Sequence, residues 1–343
     1  MTHLRLLLTA GYLFSIAGCA FLPGPRISTS HPHGVKTLVD YRLSLLGQPR
    51  VVVVEQDGSA VFFDSGTSAY GVTTGLVTSD GKIHEQDLPT KIEIESAAIG
   101  RDRKIWVTGP IHSAAWPPSF QSAVARVYPH GVVVSTILAK RLGITEALTL
   151  GRDGALWFGL PDFNAIGESK VSGAVHVIKV PKPLKPDSLA FDSSGTLFAS
   201  SSGSPSLIRI SERGTVSILK VRTVGAAIGS VAAGVGGIWF TDIGLGRIGH
   251  VWETGEIEEF PAPLGIHMES PVAVDRDSVW YTSPGQLHRF SIETHATVTL
   301  PVDAQSVSAI AVSGAGSIWF AVSQRSDEWA CNSTCGAIIR VDP

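Results

Sequence analysis

The chain has 343 residues, 27 Lys and Arg against 30 Asp and Glu, and a net charge of −3, so it offers no electrostatic footprint for nucleic acid. Charged residues make up only 17% and there are 36 glycines, a balance suited to packed sheets joined by tight turns. A chain this long exceeds a single ordinary core, which leaves construction by repetition as the economical solution.

The first residues read as an address. Met1–Arg5 carries one positive charge, Leu6–Ile16 is apolar but too short for a stable span, and Ile16-Ala17-Gly18-Cys19 follows. That ending resembles the lipobox of bacterial lipoproteins, which predicts a signal peptide over residues 1–18 and acylation of Cys19; an ordinary signal peptide with an incidental cysteine is the alternative. Residues 20–33, with prolines and serines, read as a tether. The expected location is therefore outside the cytoplasm, on the cell membrane or the outer membrane, with the lipid as the only membrane contact. No second transmembrane segment follows.

From residue 34 onward a hydrophobic-aromatic stretch recurs, centred on Phe62, Trp106, Trp157, Phe198, Trp239, Trp280 and Trp319 at intervals of 44, 51, 41, 41, 41 and 39 residues. Strand-forming residues at a period near forty are the signature of a propeller blade, and each anchor belongs between sheets. The fifth repeat is the cleanest: Ser230–Ala233, Ile238–Thr241, Arg247–Val251 and Glu256–Phe260 read as four strands, with turns at Gly236-Gly237 and Thr254-Gly255. The last repeat stops at Ala337–Pro343 and lacks an outer strand, which Gly34–Tyr41 matches. The prediction is an all-β, seven-bladed β-propeller over residues 34–343, its ring closed by the N-terminal strand completing the last blade. A monomer is expected.

The position eleven residues before each anchor reads Val51, Glu95, Glu146, Asp187, Ile228, Glu269 and Ser308. Inner strands of a propeller begin around one end of the axial channel, so these positions form a ring and the acids gather at its mouth. Carboxylates held together repel one another unless a cation compensates, which makes Glu95, Glu146, Asp187 and Glu269 candidate ligands for Mg²⁺ or Ca²⁺. The alternative is that each acid caps strand-end amides singly. Asp242 is placed on the same rim as a candidate ligand-binding residue.

Two long connections, 110–122 and 323–336, are expected to overhang this face. They carry Trp116 and Phe120 in one and Trp329 in the other, aromatics that either cover a ligand or pack their own loops. Within the second, Cys331 and Cys335 read as a disulfide if the protein is exported, the rival being a metal site that lacks a nearby histidine. His112 faces the acidic rim and is a candidate proton-transfer residue with Glu95. His250 and His288 lie in third strands and read as structural. Neither a phosphate-cradling glycine loop nor a serine nucleophile elbow is present, so no organic cofactor is indicated.

Gly-Gly-Ile-Trp-Phe-Thr-Asp at 236–242, Gly-Arg-Ile-Gly-His-Val at 246–251, Gly-Glu-Ile-Glu-Glu-Phe-Pro at 255–261 and Arg-Asp-Gly-Ala-Leu-Trp-Phe at 152–158 together resemble the blade repeat of the streptogramin B lyase (virginiamycin B lyase) family. The resemblance implies a seven-bladed propeller that opens cyclic depsipeptides by elimination across the ester, with magnesium. It also implies a histidine eleven before one blade tryptophan, a glutamate three after it and a histidine three further on. No blade carries that set: around Trp239 stand Ile228, Asp242 and Leu245, around Trp280 Glu269, Ser283 and Gln286, and around Trp106 Glu95, Gly109 and His112. Two functions follow as expectations. One is metal-assisted opening of a cyclic peptide ester; the other is non-catalytic binding of a small ligand or an envelope protein.

Overall fold

The structure, a computed structural model, describes residues 26–28, 37–42, 49–64, 72–88, 92–100, 102–112, 120–127, 133–136, 143–170, 175–263, 271–302, 306–323 and 336–342. They form seven antiparallel sheets, six of four strands and one of five, in a seven-bladed β-propeller. Blades one to six occupy residues 49–88, 96–136, 146–179, 188–220, 228–261 and 272–301 in chain order. A 3₁₀ turn at Pro161–Phe163 is the sole helical element among the described residues.

Blade seven closes the ring as expected. Its inner three strands are Ser306–Val312, Ile318–Ser323 and Gly336–Asp342, and the fourth is Thr37–Arg42, paired from Thr37 opposite Asp342 to Arg42 opposite Ala337. Joining the two chain ends in one sheet removes what would otherwise be two open edges. A fifth strand, Arg26–Ser28, then lies outside the fourth, with Arg26 opposite Asp40 and Ser28 opposite Leu38. The stretch read as a tether thus contains a strand, and only residues 20–25 separate it from Cys19.

The anchor aromatics sit where repetition demands, between neighbouring sheets. Trp319 and Tyr41 of blade seven pack with Phe62 of blade one, Trp106 of blade two with Phe158 and Leu160 of blade three, and Trp280 of blade six with Ile318 and Phe320 of blade seven. Trp239, Trp280 and Trp319 are essentially fully buried. In three blades the ring of the second-strand aromatic lies over a third-strand glycine: Phe62 over Gly75, Phe158 over Gly167 and Phe240 over Gly249. A Cβ at these glycines would meet the ring at 2.0, 2.3 and 2.0 Å, so glycine is there to admit the aromatic.

Near the axis, serines tie blade to blade. Ser96 Oγ accepts the Leu148 amide at 2.9 Å, Ser188 Oγ accepts that of Val231 at 3.1 Å, and Ser308 Oγ donates to the Pro49 carbonyl at 2.6 Å. Small residues allow the inner strands to approach, and the hydroxyls satisfy backbone amides and a carbonyl that the ladders leave open. The two third-strand histidines are structural. His288 lies 2.8 Å from Ser283 Oγ and 2.9 Å from Thr299 Oγ1, while His250 stacks on Trp239 at 4.4 Å; burial lowers both to a pKa of about 4.

Candidate functional site at the channel mouth

Where the inner strands begin, a cavity of about 250 Å³ opens on the axis and receives residues from all seven blades. Arg50 comes from blade one, Glu95 precedes blade two, and Glu146 and Ala147 open blade three. Asp187, Ser188 and Ser202 belong to blade four, Gly229 and Ser230 to blade five, Pro271 to blade six and Ser308 to blade seven.

Local irregularity aims these residues inward. Register shifts fall between Pro49 and Val51, Glu146 and Leu148, Ile228 and Val231, and Val307 and Ala309. The residues caught in those shifts are Arg50, Ala147, Gly229 with Ser230, and Ser308, and every one of them lines the cavity. A bulge leaves a residue unpaired and turns it off the face that strict alternation would give it. Ala147 shows the cost, with φ at +45° in the left-handed region.

The expected convergence of acids occurs for Glu95, Glu146 and Asp187. Glu146 is pushed up to about 7, first by burial and then by the negative charges of Asp187, Glu95 and Asp162, with Lys185 opposing them. It therefore exchanges a proton near neutrality. Glu95 faces Arg50, whose Nη1 is 3.5 Å from Glu95 Oε2, with side chains 41% and 27% exposed; so open a pair holds weakly. Asp187 is held more firmly: Oδ1 accepts Ser200 Oγ at 3.0 Å and Oδ2 accepts the Ser202 amide at 2.6 Å. For this residue the strand-end capping alternative describes the geometry.

Asp242 is fully buried in blade five and does not line the cavity. Its Oδ1 accepts the amides of Ala227, Gly244 and Leu245 at 2.9, 3.0 and 3.3 Å, fixing the turn after the second strand. His112 ends the long second strand of blade two, Ile105–His112, opposite Phe120 at the start of Phe120–Val127. In register, Ser96 lies opposite Thr108, so this hairpin runs on beyond the inner strand toward the mouth face. The chain before blade two reinforces it, Glu93 and Glu95 amides donating to the carbonyls of Pro110 and Thr108 at 2.9 Å each. Trp116, Glu269, Trp329, Cys19, Cys331 and Cys335 lie outside the described residues.

A Mg²⁺ or Ca²⁺ ion needs several oxygens aimed at one point. Among the described residues no three His, Cys, Asp or Glu side chains come together to hold an ion. Glu95 faces Arg50 and each oxygen of Asp187 accepts a hydrogen bond from the fold, while Glu269, the fourth expected ligand, lies outside the described residues.

Arg50 and Ser202 are mouth residues that sequence reasoning missed, as are Gly229, Ser230 and Pro271. Arg50 stands one place before Val51, the ring position by spacing, and only the shift after Pro49 brings it to the cavity. Pro49, which cannot donate to a ladder, is the sole sequence signal of that irregularity.

Comparison with known proteins agrees with this architecture. Residues 26–263 and again 123–326 match the Virginiamycin B lyase family. Virginiamycin B lyase from Nocardia farcinica (strain IFM 10152) is 25% identical over 220 residues, 63% of this chain and 71% of that protein. A crystal structure of a catalytically inactive histidine-to-alanine variant of virginiamycin B lyase from Staphylococcus aureus with quinupristin superposes with a TM-score of 0.74 at 20% identity, covering 89% of this chain and 99% of that one. A streptogramin B lyase structure matches equally well, with a TM-score of 0.74 at 20% identity over 89% and 97% of the two chains.

Proposed function

Because the chain belongs to the virginiamycin B lyase family, we propose that it is an exported, lipid-anchored propeller that takes a small cyclic peptide ester at its channel mouth and opens it by elimination. The supporting observation is the set of ionisable groups converging there, with Glu146 at about 7 among Glu95, Asp187 and Arg50. A base near the working pH is partly ionised yet still basic enough to take a proton from carbon.

In this reading Glu146 accepts the proton from the carbon next to the one bearing the ester oxygen. The C–H electron pair becomes the second bond of an alkene, the C–O bond breaks, and the ester oxygen departs on a carboxylate without consuming water. The Arg50 guanidinium, on the opposite side of Glu95, offers donors to the carbonyl oxygen that gains charge in this step. Glu95 and His112 remain candidates for returning the proton to solvent. A divalent cation, if Glu269 completes a site with Glu95 and Glu146, would supply further polarisation of the ester carbonyl.

A second reading is binding without turnover, by the same mouth, of a small ligand or an envelope protein. It is favoured by the absence of the family's histidine, glutamate, histidine spacing from every blade and by the engagement of both Asp187 oxygens in the fold. The two readings separate when the mature protein is incubated with quinupristin, which a Staphylococcus aureus relative was crystallised with, and Mg²⁺. A chromatographic shift at unchanged mass supports elimination. A product heavier by one water means hydrolysis, and recovered substrate with saturable binding leaves the binding propeller.

A further inference from the structure

The inner strands begin at the mouth and end at the opposite face, where each turns into the second strand of its blade. There a second and larger cavity, of about 750 Å³, lies across the turns of three successive blades. Gly234 and Val235 come from blade five, Val274–Asp277 from blade six and Val312–Gly316 from blade seven, with Arg289 added by the third strand of blade six. None of them lines the mouth. The volume falls within the roughly 300–1,000 Å³ usual for small-molecule sites.

Elsewhere in the ring this turn is held by an acid. Asp57, Asp102, Asp153 and Asp192 accept the amides of Ser59, Lys104, Ala155 and Ser194 at 2.9, 3.2, 3.0 and 2.9 Å. In blade six Asp275 Oδ1 accepts the amides of Asp277 and Ser278 at 2.9 and 2.7 Å, and its Oδ2 accepts the indole N–H of Trp280 at 2.8 Å. Blades five and seven carry no acid there, their turns reading Gly234-Val235-Gly236-Gly237 and Ser313-Gly314-Ala315-Gly316. Correspondingly, the buried Nε1 atoms of Trp239 and Trp319 have no acceptor. Trp239 stands directly behind the cavity wall, since a Cβ on Gly234 would come within 3.1 Å of its Nε1. An unpaired buried donor is unfavourable, so this wall calls for an acceptor.

The other polar groups on the wall point the same way. Arg276 is exposed and forms no ion pair among the described residues. Arg289 is fixed in place, its Nε donating to Ser278 Oγ at 2.8 Å and its guanidinium lying 5.7 Å from the centre of the Trp280 ring. Asp275 is engaged by its own turn, and Asp277 offsets part of the positive charge, which suits a singly charged anion better than a phosphate. Val235, 59% exposed, adds apolar surface together with Val274, Val312 and Ala315.

We propose that this cavity binds a small organic acid, a single carboxylate on an apolar body, the carboxylate facing Arg276 and Arg289 and the body lying on Val235 and Ala315. Its oxygens supply beside Trp239 the acceptor that Asp275 supplies to Trp280. The site is independent of the mouth and stands whether or not the mouth opens esters.

The test is calorimetric titration of the purified protein with naphthalene-2-carboxylate, and with naphthalene-2-carboxamide as the uncharged counterpart. Saturable binding of the carboxylate is expected, with the carboxamide about tenfold weaker. Arg276→Gln should weaken the carboxylate by about the same factor and leave the carboxamide unchanged. Ala315→Trp, which fills the cavity from an exposed turn, should abolish both, and Ser202→Trp at the mouth should alter neither. Equal affinity for the two probes overturns the assignment of a carboxylate. Carboxylate binding that survives both Arg276→Gln and Ala315→Trp, that is lost in Ser202→Trp, or that does not saturate at millimolar concentration overturns the site itself.

Discussion

The layer between the blades and the mouth of the channel are built from the same strands, yet they follow opposite rules. Between blades each sheet repeats its neighbour: an aromatic at a fixed place, apolar residues about it and, in blades one, three and five, a glycine beneath a ring. At the mouth the equivalent positions differ from blade to blade, four of the inner strands slip register, and acids crowd one opening with a single arginine. Repetition lets seven modest interfaces add up to a stable ring, whereas the mouth collects residues from every blade into a composite that no blade holds alone. Stability and candidate chemistry are therefore separable here by mutation.

The sharpest break in that comparison is truncation of an anchor. Trp319 is fully buried against Tyr41 and blade one, at the joint where the chain ends meet. Trp319→Ala should cost about 3–5 kcal/mol by chemical denaturation. Glu95→Ala at the mouth should stay within about 0.5 kcal/mol. Comparable losses at the two sites would mean that the mouth carries structural load the geometry does not reveal.

Gly249→Ala comes next. The added methyl would sit 2.0 Å from the Phe240 ring, and overpacking of this kind costs about 1–3 kcal/mol. Pairing it with Phe240→Leu, which vacates the space, should recover part of the loss in a double-mutant cycle; strict additivity would refute the contact as the cause.

A pH dependence also belongs to the blade layer. His250 and His288 have folded pKa values lowered to about 4 by burial, so the unfolded chain binds protons before the native one does. Their contribution to stability is complete above the ordinary histidine value of 6.5 and is lost as pH falls toward 4. His250→Phe keeps a ring on Trp239 and should flatten the decline in melting temperature between those limits. An unchanged slope would assign the acid sensitivity to other groups.

Where these features were legible follows from their physics. Anchors, period and closure can be read because each blade must bury an aromatic every forty or so residues and because an unpaired outer strand in the last blade demands a partner. Acids at the mouth can be placed by spacing for the same reason. Their partners cannot: Asp187 meets Ser200 and Ser202 across a strand end, Asp242 turns inward to three amides, and Arg50 arrives through a bulge, all outcomes of local backbone geometry that leave no periodic trace. Arg26–Ser28 was equally hidden, since three residues in a proline-rich stretch show no alternation and become a strand only against Thr37–Arg42.

The smallest expected effect sharpens the comparison most, because its sign is opposite to that of the histidines. Glu146 carries a folded pKa raised to about 7 from an ordinary 4.5, so the native state binds its proton more tightly than the unfolded chain does. That contribution is complete below 4.5 and disappears as pH rises through about 7, where ionised Glu146 works against the fold. Glu146→Gln should therefore match the parent near pH 4 and exceed it at pH 8 by on the order of one or two degrees in melting temperature, the exposure of the mouth keeping the difference small. The same substitution removes the proposed proton acceptor, so a gain in stability accompanied by loss of ester opening would identify the mouth as a place where the fold tolerates an unfavourable charge for the chemistry it permits. A parent more stable than Glu146→Gln at pH 8 would instead mean that ionised Glu146 is compensated, and would remove the basis for treating it as a base poised near neutrality.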